Sequence, residues 1–132
     1  MTDWELMEQA RAAAKMSYSP YSHFAVGAAA LTSDGAVFRG CNIENAAYSS
    51  SVCAERVAVL KAVSEGAGKI TAVAVYSEGA APCMPCGECR QVLSELCGAE
   101  LRVIFEDGNG GTADCLLGQL LPHAFKPDEA LS

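Results

Sequence analysis

The chain has 132 residues, of which 51% are hydrophobic and 19% are charged, and this composition is typical of a folded globular protein rather than a disordered one. Its formal net charge of −7 argues against a surface that grips the phosphate backbone of a nucleic acid. A bilayer span needs about 18 consecutive apolar residues, and the sequence contains no such run, so we expect no membrane partner.

The N-terminus and the cysteine content predict the compartment. Residues 1–5 are acidic and lack the basic region of a signal peptide, so we expect a cytoplasmic protein, in which thiols stay reduced. Seven cysteines in that compartment indicate metal binding more than a disulfide framework. The length predicts one domain over residues 1–132, and no repeat or internal boundary interrupts it.

The first half of the chain predicts a helix and a hairpin. Thr2 and Glu5 form a capping box before a helix with an apolar face. A loop broken by proline follows over residues 16–23. Strands are predicted over residues 24–31 and 36–41, joined by a tight Ser-Asp-Gly turn.

The second half alternates helices with strands. A polar loop over residues 42–51 leads to a helix over 53–64, with Val57 and Leu60 facing inward. A strand over 70–76 precedes a second helix from near Cys86 to Gly98, in which Leu96 has core spacing. Strands over 101–106 and 112–115 follow, and then a helical turn over 116–121. This alternation predicts an α/β fold, with a sheet covered by helices.

A motif of metal-ligand type lies at the starts of these two helices. Cys53-Ala54-Glu55 opens the first, and Cys86-Gly87-Glu88-Cys89 opens the second. A catalytic zinc ion needs three protein ligands and one open position for water, with an acid/base group beside the water. Cys53, Cys86 and Cys89 can supply three thiolates, and Glu55 lies close enough to act on the water. This pattern is typical of zinc deaminases.

The choice of cysteine pair depends on a repeated spacing. Cys83 and Cys86 have the same separation as Cys86 and Cys89. Met84 precedes a proline and is therefore disfavoured in helical geometry, so Cys83 and Cys86 should lie on either side of a turn. A helix start, with its free N–H groups, favours thiolates. We therefore predict Cys86 and Cys89 as ligands and Cys83 as a nearby free thiol.

Three other interpretations of the cysteines remain open. A structural zinc site would take a fourth ligand from Cys83 or Cys97. An iron–sulfur cluster would need another cysteine where the chain has Leu93. A thioredoxin-type disulfide would use Cys86 and Cys89 and would leave the Cys-Ala-Glu motif without a role.

Arg56 is adjacent to this motif. Zinc bound by three thiolates carries a net negative charge, which weakens its effect on water. Arg56 would offset that charge by donating hydrogen bonds to sulfur, as a residue next to the ligands. The alternative for Arg56, as for Glu55, is an exposed charge on a helix surface.

The chain resembles the small homotetrameric cytidine deaminases over nearly its whole length. The segments that carry the resemblance are Phe24-Ala25-Val26-Gly27-Ala28-Ala29, Gly40-Cys41-Asn42-Ile43-Glu44-Asn45-Ala46-Ala47-Tyr48, Cys53-Ala54-Glu55-Arg56, Pro85-Cys86-Gly87-Glu88-Cys89-Arg90-Gln91 and Leu120-Leu121-Pro122-His123-Ala124-Phe125. The resemblance implies a three-layer α/β/α sandwich with a five-stranded mixed sheet and one zinc ion per subunit. It also implies hydrolytic deamination of cytidine and deoxycytidine to uridine and deoxyuridine, with release of ammonia, in pyrimidine salvage.

The resemblance also implies roles for individual residues. Cys53, Cys86 and Cys89 would bind zinc, and Glu55 would shuttle protons while a zinc-bound hydroxide attacks the base. Asn42 and Glu44 would hold a ribose hydroxyl, and Tyr48 and Phe125 would reach the active sites of neighbouring subunits. The implied substrate-binding set is Phe24, Asn42, Glu44, Tyr48, Ala54 and Phe125.

An apolar C-terminal segment agrees with an oligomer. It contains Leu116, Leu117, Leu120, Leu121 and Phe125. Exposed on a monomer, such a patch would be costly, whereas a symmetric oligomer could bury it. The alternative is that the segment folds back on its own subunit.

Other functions remain as alternatives. A blasticidin-S-type deaminase also uses three cysteines, but the Asn42-Ile43-Glu44 segment argues against it. A deaminase of nucleic acids usually has histidine where this chain has Cys53, and it would need a basic surface. A non-catalytic zinc-binding module would need a fourth ligand and would give Glu55 no role.

Overall fold

Helices and strands alternate along the chain in the computed structural model, which describes residues 1–126. The helices are α1 (Asp3–Ala14), α2 (Ala54–Ser64), α3 (Gly87–Cys97) and α4 (Leu117–Leu120). The strands are β1 (Val26–Thr32), β2 (Val37–Cys41), β3 (Ile70–Ser77), β4 (Arg102–Glu106) and β5 (Thr112–Leu116). The predicted capping box is present, since Thr2 and Glu5 bond to each other's backbone N–H.

The strands form one mixed sheet in the order β2-β1-β3-β4-β5. Strands β3 and β4 are parallel, and the remaining neighbours are antiparallel. A parallel pair needs a crossover, and the connection from β3 to β4 contains α3. The predicted five-stranded mixed sheet is confirmed.

Helices cover both faces of the sheet. Side chains alternate along β3, so Val73 and Val75 belong to the core cluster that includes α2 and α3 residues. Ala72 and Ala74 belong to the cluster formed with α1 on the opposite face. The predicted three-layer α/β/α arrangement is therefore confirmed. No helix in residues 1–126 is long and apolar enough to cross a membrane.

Two glycines let the helices approach the sheet closely. A Cβ atom on Gly27 would lie 1.9 Å from the carbonyl oxygen of Ala10 in α1. A Cβ atom on Gly40 would lie 2.5 Å from the backbone nitrogen of Ala58 in α2. Strand β2 and helix α2 therefore touch through their backbones, which fixes the position of the helix that begins at Cys53.

Two predicted orientations are wrong. Leu60, predicted to face inward, is 46% exposed, and Leu96 is exposed as well. Helix α2 instead turns small residues such as Ala58 toward the sheet, because the backbone contact at Gly40 leaves no room for large ones. Strand β1 begins at Val26, two residues later than predicted, because side chains rather than a neighbouring strand bind the backbone of Phe24.

Candidate active site

Three cysteines from two helix starts form a cluster of thiols. Cys53 is the N-cap of α2, Cys86 is the N-cap of α3, and Cys89 lies in the first turn of α3. Their sulfur atoms all lie within 4.8 Å of one another, and those of Cys53 and Cys86 are 3.6 Å apart. Cys89 is buried and Cys86 is exposed, so the cluster opens to solvent on one side. This donor set suits a zinc ion that keeps a fourth position for water.

Cys83 lies outside this cluster although it is close in sequence. Burial raises the pKa of its thiol to about 11, and the charge of Glu55 acts in the same direction. Geometry therefore favours Cys86 and Cys89 over Cys83 as ligands.

The thiols of the cluster share protons. Hydrogen bonding from Cys89, followed by that from Cys86 and by the charge of Arg56, lowers the pKa of Cys53 to about 6. The pKa of Cys89 is raised, mainly because its thiol donates to Cys53 and because it is buried. Cys53 therefore becomes a thiolate before Cys89 does.

Glu55 is a buried carboxyl group beside the cluster. It lies in the first turn of α2 and is 3% exposed. Burial raises its pKa to about 7, and the neighbouring negative charge of Cys53 acts in the same direction. A carboxyl group with this pKa can accept and return a proton near neutral pH, as a general acid and base must do.

Arg56 contacts the loop before α2 and the start of α3. Its Nη2 donates to the carbonyl oxygen of Ser51 at 3.1 Å, and its Nη1 lies 3.6 Å from the Glu88 carboxylate. Its Nε is buried and has no hydrogen-bond partner among residues 1–126. Burial lowers the pKa of Arg56, but the nearby sulfur of Cys89 and the Glu88 carboxylate raise it by more. The pKa of Arg56 is therefore raised overall. A buried donor without a partner next to sulfur fits a site in which thiolates hold a metal ion.

Asn42 and Glu44 follow β2 and bind the loop before β1. The Asn42 side chain accepts from the N–H of Val26 at 3.0 Å and from the Ser17 hydroxyl, and it donates to the carbonyl oxygen of Phe24 at 2.7 Å. The Glu44 carboxylate accepts from two backbone N–H groups, at 3.0 and 3.1 Å, and from the hydroxyl of Ser22. Both side chains therefore organise the loop in which Phe24 lies.

The remaining predicted substrate residues differ in exposure. Phe24 is exposed, and its ring lies against Gly79, where an added Cβ atom would be 2.9 Å from the ring. Tyr48 is 90% exposed and Phe125 is 63% exposed. Ala54 is fully buried in the core, so its contact with a substrate stays a prediction.

Comparison with known proteins identifies the family. Residues 1–105 match the family model described as the cytidine and deoxycytidylate deaminase zinc-binding region. The chain belongs to this deaminase family. A cytidine deaminase from Halalkalibacterium halodurans is 45% identical over 124 residues, which cover 94% of this chain and 94% of that protein.

Solved structures of deaminases share the fold. The cytidine deaminase from Burkholderia pseudomallei matches with a TM-score of 0.89 and 46% identity, over 95% of this chain and 100% of that one. The cytidine deaminase from Mycobacterium tuberculosis matches with a TM-score of 0.85 and 44% identity, over 96% of this chain and 99% of that one. The zinc-dependent hydrolase class predicted from the cysteine motif is confirmed by these comparisons.

Sequence analysis missed several residues that organise this deaminase site. Ser17 and Ser22 bind Asn42 and Glu44. Arg90 donates to the carbonyl oxygens of Pro85 at 2.8 Å and Leu120 at 3.0 Å, which joins the loop before α3 to the C-terminal segment. Serines in a loop carry no periodic or ligand-type signal, and only the folded loop shows which side chains they meet.

Proposed function

We propose that this chain catalyses the hydrolytic deamination of cytidine and deoxycytidine to uridine and deoxyuridine, with release of ammonia, in pyrimidine salvage. Relatives named cytidine deaminase align with nearly the whole chain. The observation that carries the proposal is a buried carboxyl group, Glu55, with a pKa raised to about 7 next to a cluster of three thiols.

Glu55 moves the protons of this reaction. Water adds to the ring carbon that bears the amino group, and Glu55 takes one proton from the water and gives it to the ring nitrogen. Glu55 then takes the remaining proton of the added hydroxyl and gives it to the amino group. The carbon–nitrogen bond breaks, ammonia leaves, and the ring carbon becomes a carbonyl. A group that accepts and donates in turn needs a pKa near the working pH, which burial gives to Glu55.

Cys53, Cys86 and Cys89 are the residues that would hold one zinc ion per subunit. When bound, zinc supplies Lewis-acid chemistry that lowers the pKa of water at its open position. Arg56 offsets part of the negative charge of the thiolates, because its guanidinium lies near Cys53 and Cys89 and its Nε is a buried donor without a partner in the described chain. Burial of Glu55 excludes bulk water from the proton-transfer path.

Asn42 and Glu44 present a matched pair of groups to the sugar. The Asn42 side-chain oxygen already accepts two hydrogen bonds, and its amide nitrogen already donates one. The side chain can therefore donate one further hydrogen bond through its second N–H. The Glu44 carboxylate accepts three hydrogen bonds out of about four, so it retains one acceptor position. A hydroxyl group that accepts from Asn42 and donates to Glu44 satisfies both, as a ribose hydroxyl would.

A homotetramer with shared active sites explains the most exposed aromatic residues. Tyr48 and Phe125 expose 90% and 63% of their surface, an unfavourable arrangement for aromatic side chains that a neighbouring subunit would cover. The C-terminal segment partly folds back, because Leu117 is buried in its own subunit, while Leu116 remains exposed. We propose that Tyr48 and Phe125 line a neighbour's substrate site, together with that neighbour's Phe24.

The proposed setting is the cytoplasm. The seven cysteines are free thiols in the described part of the chain, and metal binding by thiolates needs reduced sulfur. The net charge of −7 supports a small nucleoside partner rather than a nucleic acid or an anionic membrane surface. We propose one catalytic domain for the chain.

A product assay tests the proposal. The purified protein is offered cytidine, deoxycytidine, cytosine, adenosine and blasticidin S, and ammonia and the deaminated products are measured. We expect turnover of both cytidine nucleosides and little turnover of the other compounds. Preferred turnover of blasticidin S would reassign the substrate, and zinc binding without any turnover would indicate a non-catalytic module.

A further inference from the structure

Ser22 joins two residues of the proposed nucleoside site. Its hydroxyl donates to Oε2 of Glu44 and accepts from the N–H of Phe24 at 3.1 Å. Its backbone N–H donates to Oε1 of the same carboxylate at 3.1 Å, beside the N–H of Tyr21 at 3.0 Å. We propose that Ser22 is a positioning residue, which holds the Glu44 carboxylate in the orientation that receives the sugar hydroxyl. This inference rests on the proposed function.

The hydrogen bond from the Phe24 N–H to the Ser22 oxygen is compatible with a Ser22 O–H that donates to Glu44. A serine hydroxyl has one proton to donate and two acceptor positions. Because the N–H of Phe24 occupies one acceptor position, the O–H is free to point at Glu44. The Phe24 carbonyl is bound in turn by the Asn42 amide at 2.7 Å, so the loop, the carboxylate and the amide form one connected network.

Glu44 needs such a partner because it is only half-buried, so packing alone does not fix the orientation of its carboxylate. Its pKa is lowered, chiefly by the hydrogen bond from the Ser22 hydroxyl, so the carboxylate is kept charged and ready to accept. The backbone N–H groups both bind Oε1, and within residues 1–126 the hydroxyl of Ser22 is the partner that holds Oε2. Without it, rotation of the carboxylate is less restricted, and the remaining acceptor position no longer has a defined direction.

The test compares four single variants in steady-state assays with cytidine. Ser22→Ala removes the hydroxyl, Ser22→Cys keeps the size but replaces it with a weak donor, and Ser22→Thr keeps it. Ser64→Ala is the matched control, since the Ser64 hydroxyl binds only the Lys61 carbonyl of its own helix among the described residues. A hydrogen bond to a charged group is worth about tenfold or more in binding, so we expect Ser22→Ala and Ser22→Cys to raise KM roughly tenfold with kcat little changed. Ser22→Thr and Ser64→Ala should match the wild type.

A double variant separates positioning from a general structural role. In a Glu44→Ala background, Ser22→Ala should change kcat/KM by less than about twofold, because the group through which it acts is gone. Zinc content and melting temperature are measured for every variant, and if Ser22→Ala does not fold, Ser22→Cys against Ser22→Thr decides. An unchanged KM in Ser22→Cys and Ser22→Ala, or an equal loss with and without Glu44, would overturn the proposal while leaving the deaminase intact. A wild-type protein inactive on cytidine would instead overturn the proposed function, and the role of Ser22 with it.

Discussion

The sulfur atoms of Cys53 and Cys86 lie 3.6 Å apart, although 33 positions separate the two residues in the sequence. Each residue is the N-cap of a helix, so the cluster forms where α2 and α3 begin side by side. Free N–H groups and the positive end of the helix dipole favour the thiolate form at such positions. The site therefore depends on the packing of two helix starts rather than on one local motif.

The first prediction concerns which cysteines bind zinc. Cys86→Ala and Cys89→Ala should lose the metal, because each removes one of the clustered thiols. Cys83→Ala should retain one zinc ion per chain and most of the activity, since Cys83 lies outside the cluster. Elemental analysis of the purified variants measures this, with Cys97→Ala as a control for the loss of a buried thiol. A metal-free Cys83→Ala protein would reverse the assignment.

The second prediction concerns proton transfer. Glu55→Gln keeps the size of the side chain but removes a carboxyl group with a pKa of about 7, so zinc content and fold should persist while kcat falls. A positioned acid/base group contributes about 10²–10⁴-fold, and the loss should be at least of this size. Single-turnover assays with cytidine, together with zinc analysis, check the result. Turnover close to that of the wild type would remove Glu55 from the mechanism.

The third prediction separates sugar recognition from loop stabilisation. Glu44→Ala should reduce kcat/KM about tenfold or more with cytidine, because a charged acceptor for a hydroxyl group is lost. It should change the slow reaction of free cytosine far less, since cytosine has no sugar. Glu65→Ala, at the exposed C-cap of α2, is the control. Equal losses on both substrates would show that Glu44 acts only by holding the loop.

The fourth prediction tests shared active sites by complementation. If Phe125 completes a neighbour's site, Phe125→Ala and Glu55→Gln proteins should each be impaired, and a mixture reassembled from both should regain part of the activity. The regained sites combine Glu55 from one subunit with Phe125 from another. Sedimentation should show a tetramer, and truncation before Leu120 should lower activity. A fully active monomer, or impaired parents whose mixture regains nothing, would place Phe125 outside the neighbouring site.

The fifth prediction concerns the packing of α1. Gly27→Ala would place a Cβ atom 1.9 Å from the Ala10 carbonyl oxygen, so the helix must move away from the sheet. Overpacking of this kind typically lowers the free energy of unfolding by about 1–3 kcal/mol, measured by denaturant titration. Gly68→Ala is the matched control, because a Cβ atom there meets no atom within 4 Å in the described chain. Equal stability of the two variants would contradict the close contact seen in the structure.

The cysteine cluster could be predicted because its signals are local. The proline before Cys86 and the helix start after it are both visible in the sequence, and they selected Cys86 and Cys89 over Cys83. The order of elements could be predicted for the same reason, whereas the five-stranded mixed sheet was predicted from the family resemblance.

The network around Glu44 could not be predicted, because it joins a loop to a strand end far along the chain. Ser17 and Ser22 meet Asn42 and Glu44 only after β1 and β2 pair. The prediction that Leu60 of α2 faces inward is wrong, because it assumed that the larger hydrophobic side chains of a helix point toward the core. A backbone contact such as that at Gly40 selects small residues instead, and one sequence does not show which face carries that contact.

The contact at Gly40 has a consequence for substrate length. Strand β2 ends at Cys41, just before Asn42 and Glu44, and it lies against the helix that begins after Cys53 and carries Glu55. The distance between Glu44, proposed to receive the sugar, and Glu55, proposed to move protons on the base, is thus set by main-chain atoms in contact. Side-chain substitutions elsewhere can change how firmly Glu44 or Glu55 is held, but they do not increase the distance that the backbone contact sets between the two residues. A nucleoside with an extended linkage between sugar and base would reach one end of the site and miss the other.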